Sequence, residues 1–215
     1  MDRQKLQNAQ SWVKSELERS AQFWLDHGMD KEHGGVYTCL DRKGEIYSTD
    51  KSVWMQGRCG WIFAFLCHNY GVKQEWLDAS KSCLDFMENY CFNHVAGDRM
   101  YFTVTEDGKP LRQRRYYFSE AFCAIANAEY YGVTGDAVRL ERARQCYDLY
   151  WNLSQGMEDP VGMGPKTIPE TRSGRAFGAP MILLNVTGVM LRTDPDRRAL
   201  YEERAQQCVD DIFQY

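Results

Sequence analysis

Apolar residues recur at helical spacing in seven stretches of the chain. The first, Leu6, Ala9, Val13, Leu17, Ala21 and Trp24, places its side chains on one face of a long amphipathic helix. Val53 to Tyr70, with Trp54, Gly57, Trp61, Ile62, Phe65 and Leu66, and Trp76 to Cys91, with Leu77, Ser80, Leu84, Met87 and Tyr90, predict a helical hairpin across Gly71. Phe118 to Tyr131 is small and aromatic almost all round, which suits an inner helix covered on more than one side. Behind the GVTGD turn, where Asp136 is a candidate N-cap, the stripe Leu140, Ala143, Tyr147, Tyr150 is more one-sided and more charged, as an outer helix should be. Pro180 to Leu191 is apolar again. Tyr201, Ala205, Cys208, Val209 and Ile212 are amphipathic again behind the Asp194-Pro195-Asp196 turn.

Two inserts interrupt the helices, and both predict β-hairpins: Gly35 to Ser48 around Arg42-Lys43-Gly44, and Met100 to Tyr117 around Asp107-Gly108. Alternating inner and outer helices, paired at a loose period of several tens of residues, suit a helical solenoid or a closed α/α toroid, and patterning alone does not choose. The expected unit is one domain over residues 1–215. The last residues, Asp211 to Tyr215, still lie in a helical pattern, so the expectation is a chain that stops partway through its architecture.

Composition narrows the function classes. The chain has 215 residues, 44% of them hydrophobic and 26% charged, enough for a sizeable core. A net charge of -4 supplies no field to hold a nucleic acid or an acidic membrane. The polar start MDRQKLQNAQSWVK is not a signal peptide, and no stretch reaches the ~20 apolar residues of a membrane span, so the expected compartment is the cytoplasm. The eight cysteines form no CxxC pair and fall mostly inside helical patterns, as reduced core residues do.

Three clusters could carry chemistry. In Lys51-Ser-Val-Trp54-Met-Gln56-Gly57-Arg58-Cys-Gly-Trp61 an arginine sits on an otherwise apolar helix, where an unused charge is costly. Trp54, Arg58 and Trp61 share a face and would make a sugar-binding wall; the alternative is a structural Arg58 paired with a buried carboxylate such as Glu120. Glu120 itself lies on the most apolar helix of the chain, in Phe118-Ser119-Glu120-Ala121-Phe122. Asn185, in Ala179-Pro180-Met181-Ile182-Leu183-Leu184-Asn185, offers a donor and an acceptor within an apolar run, or is a satisfied core amide. No metal site is expected, because His27 and His33 with their acidic neighbours match no zinc or EF-hand spacing. Gly162-Met-Gly164-Pro-Lys166-Thr167 lacks phosphate-loop spacing, and Arg112-Gln-Arg114-Arg115 reads as a solvated strand face.

Taken in order, Phe23-Trp24, His33-Gly34-Gly35-Val36-Tyr37, Trp54-Met-Gln56-Gly57-Arg58-Cys-Gly-Trp61, Phe118-Ser119-Glu120 and Pro180-Met181-Ile182-Leu183-Leu184-Asn185 resemble the N-acylglucosamine 2-epimerase family, over essentially the whole chain. The resemblance implies an all-α fold, an (α/α)6 toroid, here an incomplete half with about seven helices and two β-hairpin inserts, with the sugar bound at the mouth of the inner helices. It implies that Arg58 faces the sugar's reacting end as the catalytic charge. Trp54 and Asn185 would then contact the sugar, while Phe118 and Glu120 match a pocket-facing segment. It implies no required cofactor, and allows a nucleotide effector and a homodimer. The family's proton-transfer histidines lie in the second half of a chain about twice this length. None of the four histidines here matches them, so this chain alone is expected to be inactive.

The implied chemistry is proton transfer at C2 of a free sugar. Loss of a proton next to a carbonyl leaves an enediolate, which needs a fixed positive charge beside its oxyanion, and Arg58 suits that role. The FSE and PMILLN motifs, close to the renin-binding-protein type, favour N-acetylglucosamine and N-acetylmannosamine. The alternatives are an aldose-ketose isomerase or cellobiose 2-epimerase of the same fold, a toroidal glycoside hydrolase or lyase, and a non-catalytic interaction protein.

Overall fold

The computed structural model describes residues 2–164, 167–168, 170–172, 174 and 177–214. Part of the Gly162–Thr167 segment, including Lys166, therefore lies outside the described residues. Seven α-helices are present among them: α1 (Arg3–Phe23), α2 (Val53–Tyr70), α3 (Gln74–Tyr90), α4 (Phe118–Thr134), α5 (Ala137–Ser154), α6 (Gly178–Thr193) and α7 (Arg198–Ile212). Their local causes are those in the sequence. The Asp2 carboxylate accepts from the Gln4 amide at 2.9 Å to start α1, and Asp136 accepts from the Val138 amide at 3.0 Å to start α5. Gly135, at φ 71°, closes α4 in the left-handed conformation that favours glycine.

The inner layer is α2, α4 and α6, and the outer is α3, α5 and α7. Helix α4 packs on α2, α3, α5 and α6, and it is buried from Ser119 to Ala121 and from Cys123 to Tyr130, with Phe122 half-buried between. The all-round apolar pattern predicted this. The main core runs through Val53 and Ala64 of α2, Leu84 and Met87 of α3, Ala121 to Ala128 of α4, Tyr147 and Tyr150 of α5, Leu183 and Met190 of α6, and Tyr201 of α7. A second cluster joins Ala21 of α1 to Phe63, Leu66, Trp76 and Ala79.

Helix α1 departs from its pattern. Leu17, Ala21 and Trp24 pack as predicted, but Leu6 and Val13 of the same stripe are exposed, because no described element lies over the first half of the helix. After Phe23 the chain widens into a π-helical turn, Trp24–Gly28.

Both predicted hairpins form. Strands β1 (Cys39–Leu40) and β2 (Ile46–Ser48) pair antiparallel around a turn with Gly44 at φ 91°. Strands β6 (Thr103–Val104) and β7 (Pro110–Arg112) pair around Gly108 at φ 88°. Three further two-residue strands were not expected: β3 (Lys51–Ser52) adds to β6, and β4 (Phe92–Asn93) pairs with β5 (Arg99–Met100). The first pairing ties the second insert to the N-terminal end of α2, and the second ties it to the C-terminal end of α3.

The layers are stitched by ion pairs. Arg144 of α5 holds Asp194 through two bonds of 2.7 Å, and Tyr201 donates to the same carboxylate at 2.7 Å. Arg142 pairs with Glu88, and Arg139 with Asp85. Glu129, fully buried on α4, accepts from Arg192 of α6 and is 2.9 Å from Nδ1 of His68 on α2. All eight cysteines are free, six of them buried. No helix among the described residues is long and apolar enough to cross a membrane.

Candidate active site

A groove of about 800 Å³ runs along the inner helices. Its walls come from α1 (Leu17, Ser20, Ala21), the π-turn (Trp24), the segment Val36–Thr38, α2 (Met55, Arg58, Cys59, Trp61, Ile62), α4 (Phe122, Ile125) and α6 (Leu184, Asn185, Gly188, Arg192). Polar and charged groups are few against this apolar lining, the usual make-up of a small-molecule site. Among the described residues, no Asp, Glu or His lines it, and no group of three or more metal-ligating side chains lies anywhere.

Two charges reach the groove. Arg192 is neutralised by Glu129. Arg58 has no carboxylate partner among the described residues, whereas Arg99, Arg139, Arg142, Arg144 and Arg204 each have one. Instead its guanidinium lies 4.3 Å from the centroid of the Phe122 ring, with a weak 3.8 Å contact to Met55 Sδ. A cation on an aromatic face keeps its full charge available to a ligand. The contact depends on the preceding residue. A Cβ at Gly57 would fall 2.6 Å from Phe122 Cβ and 2.7–2.8 Å from its backbone, so glycine lets α4 come close enough for Phe122 to support Arg58.

Of the residues picked from the sequence, Arg58 and Asn185 both line the groove. Trp54 and Phe118 do not. Their rings are 5.5 Å apart in an aromatic cluster with Phe102, and Trp54 is 6.0 Å from Phe122, so they stand behind the residue that carries Arg58. The Trp54 indole N–H is buried without a partner.

Glu120 departs from the expectation of a sugar contact. It has no exposure, and its Oε1 accepts from Arg99 Nε at 2.7 Å and from the Met100 amide at 2.9 Å. The proposed Arg58–Glu120 pair is thereby also replaced. Arg99, buried as well, extends to Asp159 and to the carbonyls of Arg114 and Tyr116, so the pair anchors the second insert to α4. Burial pushes the Glu120 carboxyl up against the pull of Arg99 and the Met100 amide. The same burial opposes the charge on Arg99, but Glu120 and Asp159 more than restore it.

The sequence reading missed Phe122 as the support of Arg58, and Tyr37 and Thr38 as groove wall. Only the aromatic at 122, on a helix already assigned as inner, gave a signal. The histidines stay away from the groove. His68, at the far end of α2, is ten residues and so about 15 Å along the axis from Arg58.

Alternating helix layers around a groove form an arc of an α/α toroid. Solved structures agree on the fold: cellobiose 2-epimerase from Spirochaeta thermophila superposes with a TM-score of 0.76 at 21% identity, over 95% of this chain and 54% of that one. The family model for N-acylglucosamine 2-epimerase (GlcNAc 2-epimerase) matches residues 35–215, and the chain belongs to that family. The N-acylglucosamine 2-epimerase of Bos taurus is 34% identical over 205 residues, covering 94% of this chain and 48% of the bovine protein. That of Homo sapiens is 32% identical over 216 residues, covering 100% and 50%. The chain spans about half the length of the curated relatives it matches.

Proposed function

We propose that this chain is the sugar-binding, charge-stabilising part of a sugar 2-epimerase that interconverts N-acetylglucosamine and N-acetylmannosamine. The observation that carries this reading is Arg58: a guanidinium without a carboxylate partner among the described residues, on an aromatic ring, in the wall of an apolar groove. An open-chain sugar bound there loses its C2 proton to a base, the electron pair moves to the carbonyl oxygen, and Arg58 holds the resulting oxyanion. Return of a proton to the opposite face of C2 gives the epimer. Arg58 is not the base, since guanidinium keeps its protons in proteins. This reading takes the base from outside these 215 residues and expects them to be inactive alone; the described lining residues include no Asp, Glu or His. Asn185 contributes a donor and an acceptor for sugar hydroxyls, and Trp54 and Phe118 back the Phe122 support. Family likeness supports a homodimer, a nucleotide effector and no required cofactor, and eight free thiols suit the cytoplasm.

The test is exchange of the C2 hydrogen in deuterated water, using the chain alone and the chain continued to its relatives' full length. The long form should exchange it in N-acetylmannosamine, and the short form should not. In the long form Arg58→Ala should slow exchange by about 10²-fold, the scale of one lost oxyanion donor. Arg58→Lys should recover only part, because an ammonium lacks the planar fork. Unchanged exchange with weaker binding in Arg58→Ala would make Arg58 a specificity contact and defeat the assignment. Turnover of mannose or cellobiose in place of the N-acyl sugars would move the substrate to the alternatives within this fold.

A further inference from the structure

Beside α2 the groove is bounded by the extended segment Val36–Tyr37–Thr38, which is hydrogen-bonded at each residue, the Tyr37 amide donating to the Gly28 carbonyl at 2.8 Å. Gln56, with no exposure, stands in for a neighbouring strand: its Oε1 accepts from the Val36 amide at 2.8 Å, and its Nε2 donates to the Val36 carbonyl at 2.6 Å. The fit leaves no room next door, where a Cβ at Gly35 would lie 2.6 Å from Gln56 Oε1. Lys51, also without exposure, donates to Asp30 at 2.6 Å, to the Gly34 carbonyl at 2.8 Å and to the Glu106 carbonyl at 2.9 Å. The Gly35 amide donates to Ser82 Oγ, and the Thr38 hydroxyl donates to the Asp50 carbonyl and accepts from the Ser52 amide.

A buried glutamine spent wholly on the Val36 backbone, beside a buried lysine that joins Asp30 and the Gly34 carbonyl to the Glu106 carbonyl of the second insert, is a costly choice for mere packing, since each must be fully satisfied. Their product is a groove wall fixed relative to Arg58, two residues beyond Gln56 on the same helix. Tyr37 lines the groove, and its ring centroid lies 5.2 Å from Lys51 Nζ.

We propose that Gln56 is a positioning residue: through Val36 it fixes the Tyr37–Thr38 wall against Arg58 and thereby sets which substituents on the sugar the groove accepts. This rests on the reading of the groove as a sugar site. The wall then discriminates N-acyl sugars from plain hexoses, and Arg58 does not.

The experiment is a ligand-observed NMR titration of the 215-residue chain with N-acetylmannosamine and with mannose, beside amide hydrogen exchange and a thermal melt. Gln56→Glu keeps the acceptor for the Val36 amide but loses the donor to its carbonyl. At a temperature where it stays folded, exchange at Val36 and Tyr37 should quicken at least tenfold. The ratio of the two sugar affinities should change about tenfold, an effect that general loss of stability does not produce. Arg58→Ala should weaken both sugars together and leave that ratio alone. Thr38→Val loosens the same wall without a buried charge, and serves if Gln56→Glu does not fold. Faster exchange with an unchanged ratio, or unchanged exchange, overturns the role given to Gln56 while the sugar site stands. A parent chain that binds neither sugar overturns the site itself, and the proposal with it.

Discussion

Glu120→Gln separates a structural carboxylate from a substrate contact. In the parent, one carboxylate oxygen serves both Arg99 Nε at 2.7 Å and the Met100 amide at 2.9 Å, and nothing on the residue is exposed. Glutamine keeps an acceptor in that place but removes its charge. Bonds to charged groups are worth about 1.5–3 kcal/mol against about 0.5–1.5 for neutral ones; only the Met100 bond becomes neutral on both sides, and together with the lost ion pairing to Arg99 the cost is roughly 2 kcal/mol. Outright loss of a buried partner costs about 3–5 kcal/mol, but here Asp159 still neutralises Arg99, and a neutral amide is cheaper to bury. For a chain of this size about 2 kcal/mol is a fall of roughly 4–8 °C in Tm. Urea unfolding and a thermal melt measure it, and sugar titration of the folded variant should match the parent. A variant that melts with the parent but loses sugar affinity would restore Glu120 as a substrate contact and refute the structural assignment.

Gly57→Ala should destabilise despite the better helix propensity of alanine. Overpacking against the Phe122 backbone costs roughly 1–3 kcal/mol and offsets the about 1 kcal/mol alanine gains, so a chemical melt equal to or above the parent's would mean that α2 and α4 are less tightly apposed than described. In acid, the contribution of Asp194 should outlast those of ordinary carboxylates. Burial opposes its charge, yet the Arg144 and Tyr201 bonds win and hold its carboxyl below the usual range, so its stabilisation is present above the ordinary aspartate pKa and lost as pH falls through the depressed one. The gap between the urea midpoints of the parent and Asp194→Asn should therefore hold from neutral pH down to about pH 4 and narrow only below it, and a gap that stays constant in stronger acid would count against the linkage.

Periodicity made the helices, their order and their layers legible, because a buried face needs apolar residues at fixed steps whatever covers it. Turn chemistry located both hairpins, since Gly44 and Gly108 sit where the chain must take positive φ. The partners of buried polar groups were not legible. Arg99, on a two-residue strand, lies 21 positions from Glu120, and Gln56 lies 20 from the Val36 backbone it binds. Strands of two residues have no period to read, so β3, β4 and β5 left no trace, and neither did the contacts they create. For the same reason Arg58 was marked as a charge in an apolar helix, while its support on Phe122 could be seen only once α2 and α4 were packed.

The triplet Gln56-Gly57-Arg58 shows why one short motif can mark the site. Successive helix positions point about 100° apart, so three neighbours address three different surroundings. Gln56 turns to the Val36 backbone and fixes one wall of the groove. Gly57 turns to α4 and sets the distance between the inner helices. Arg58 turns into the groove and rests on the ring which that distance brings within reach. Wall, spacing and charge are thus placed by less than one turn of helix, and a shift in any of the three moves the other two. The guanidinium, though exposed, is thereby kept over the Phe122 ring at the wall of the groove.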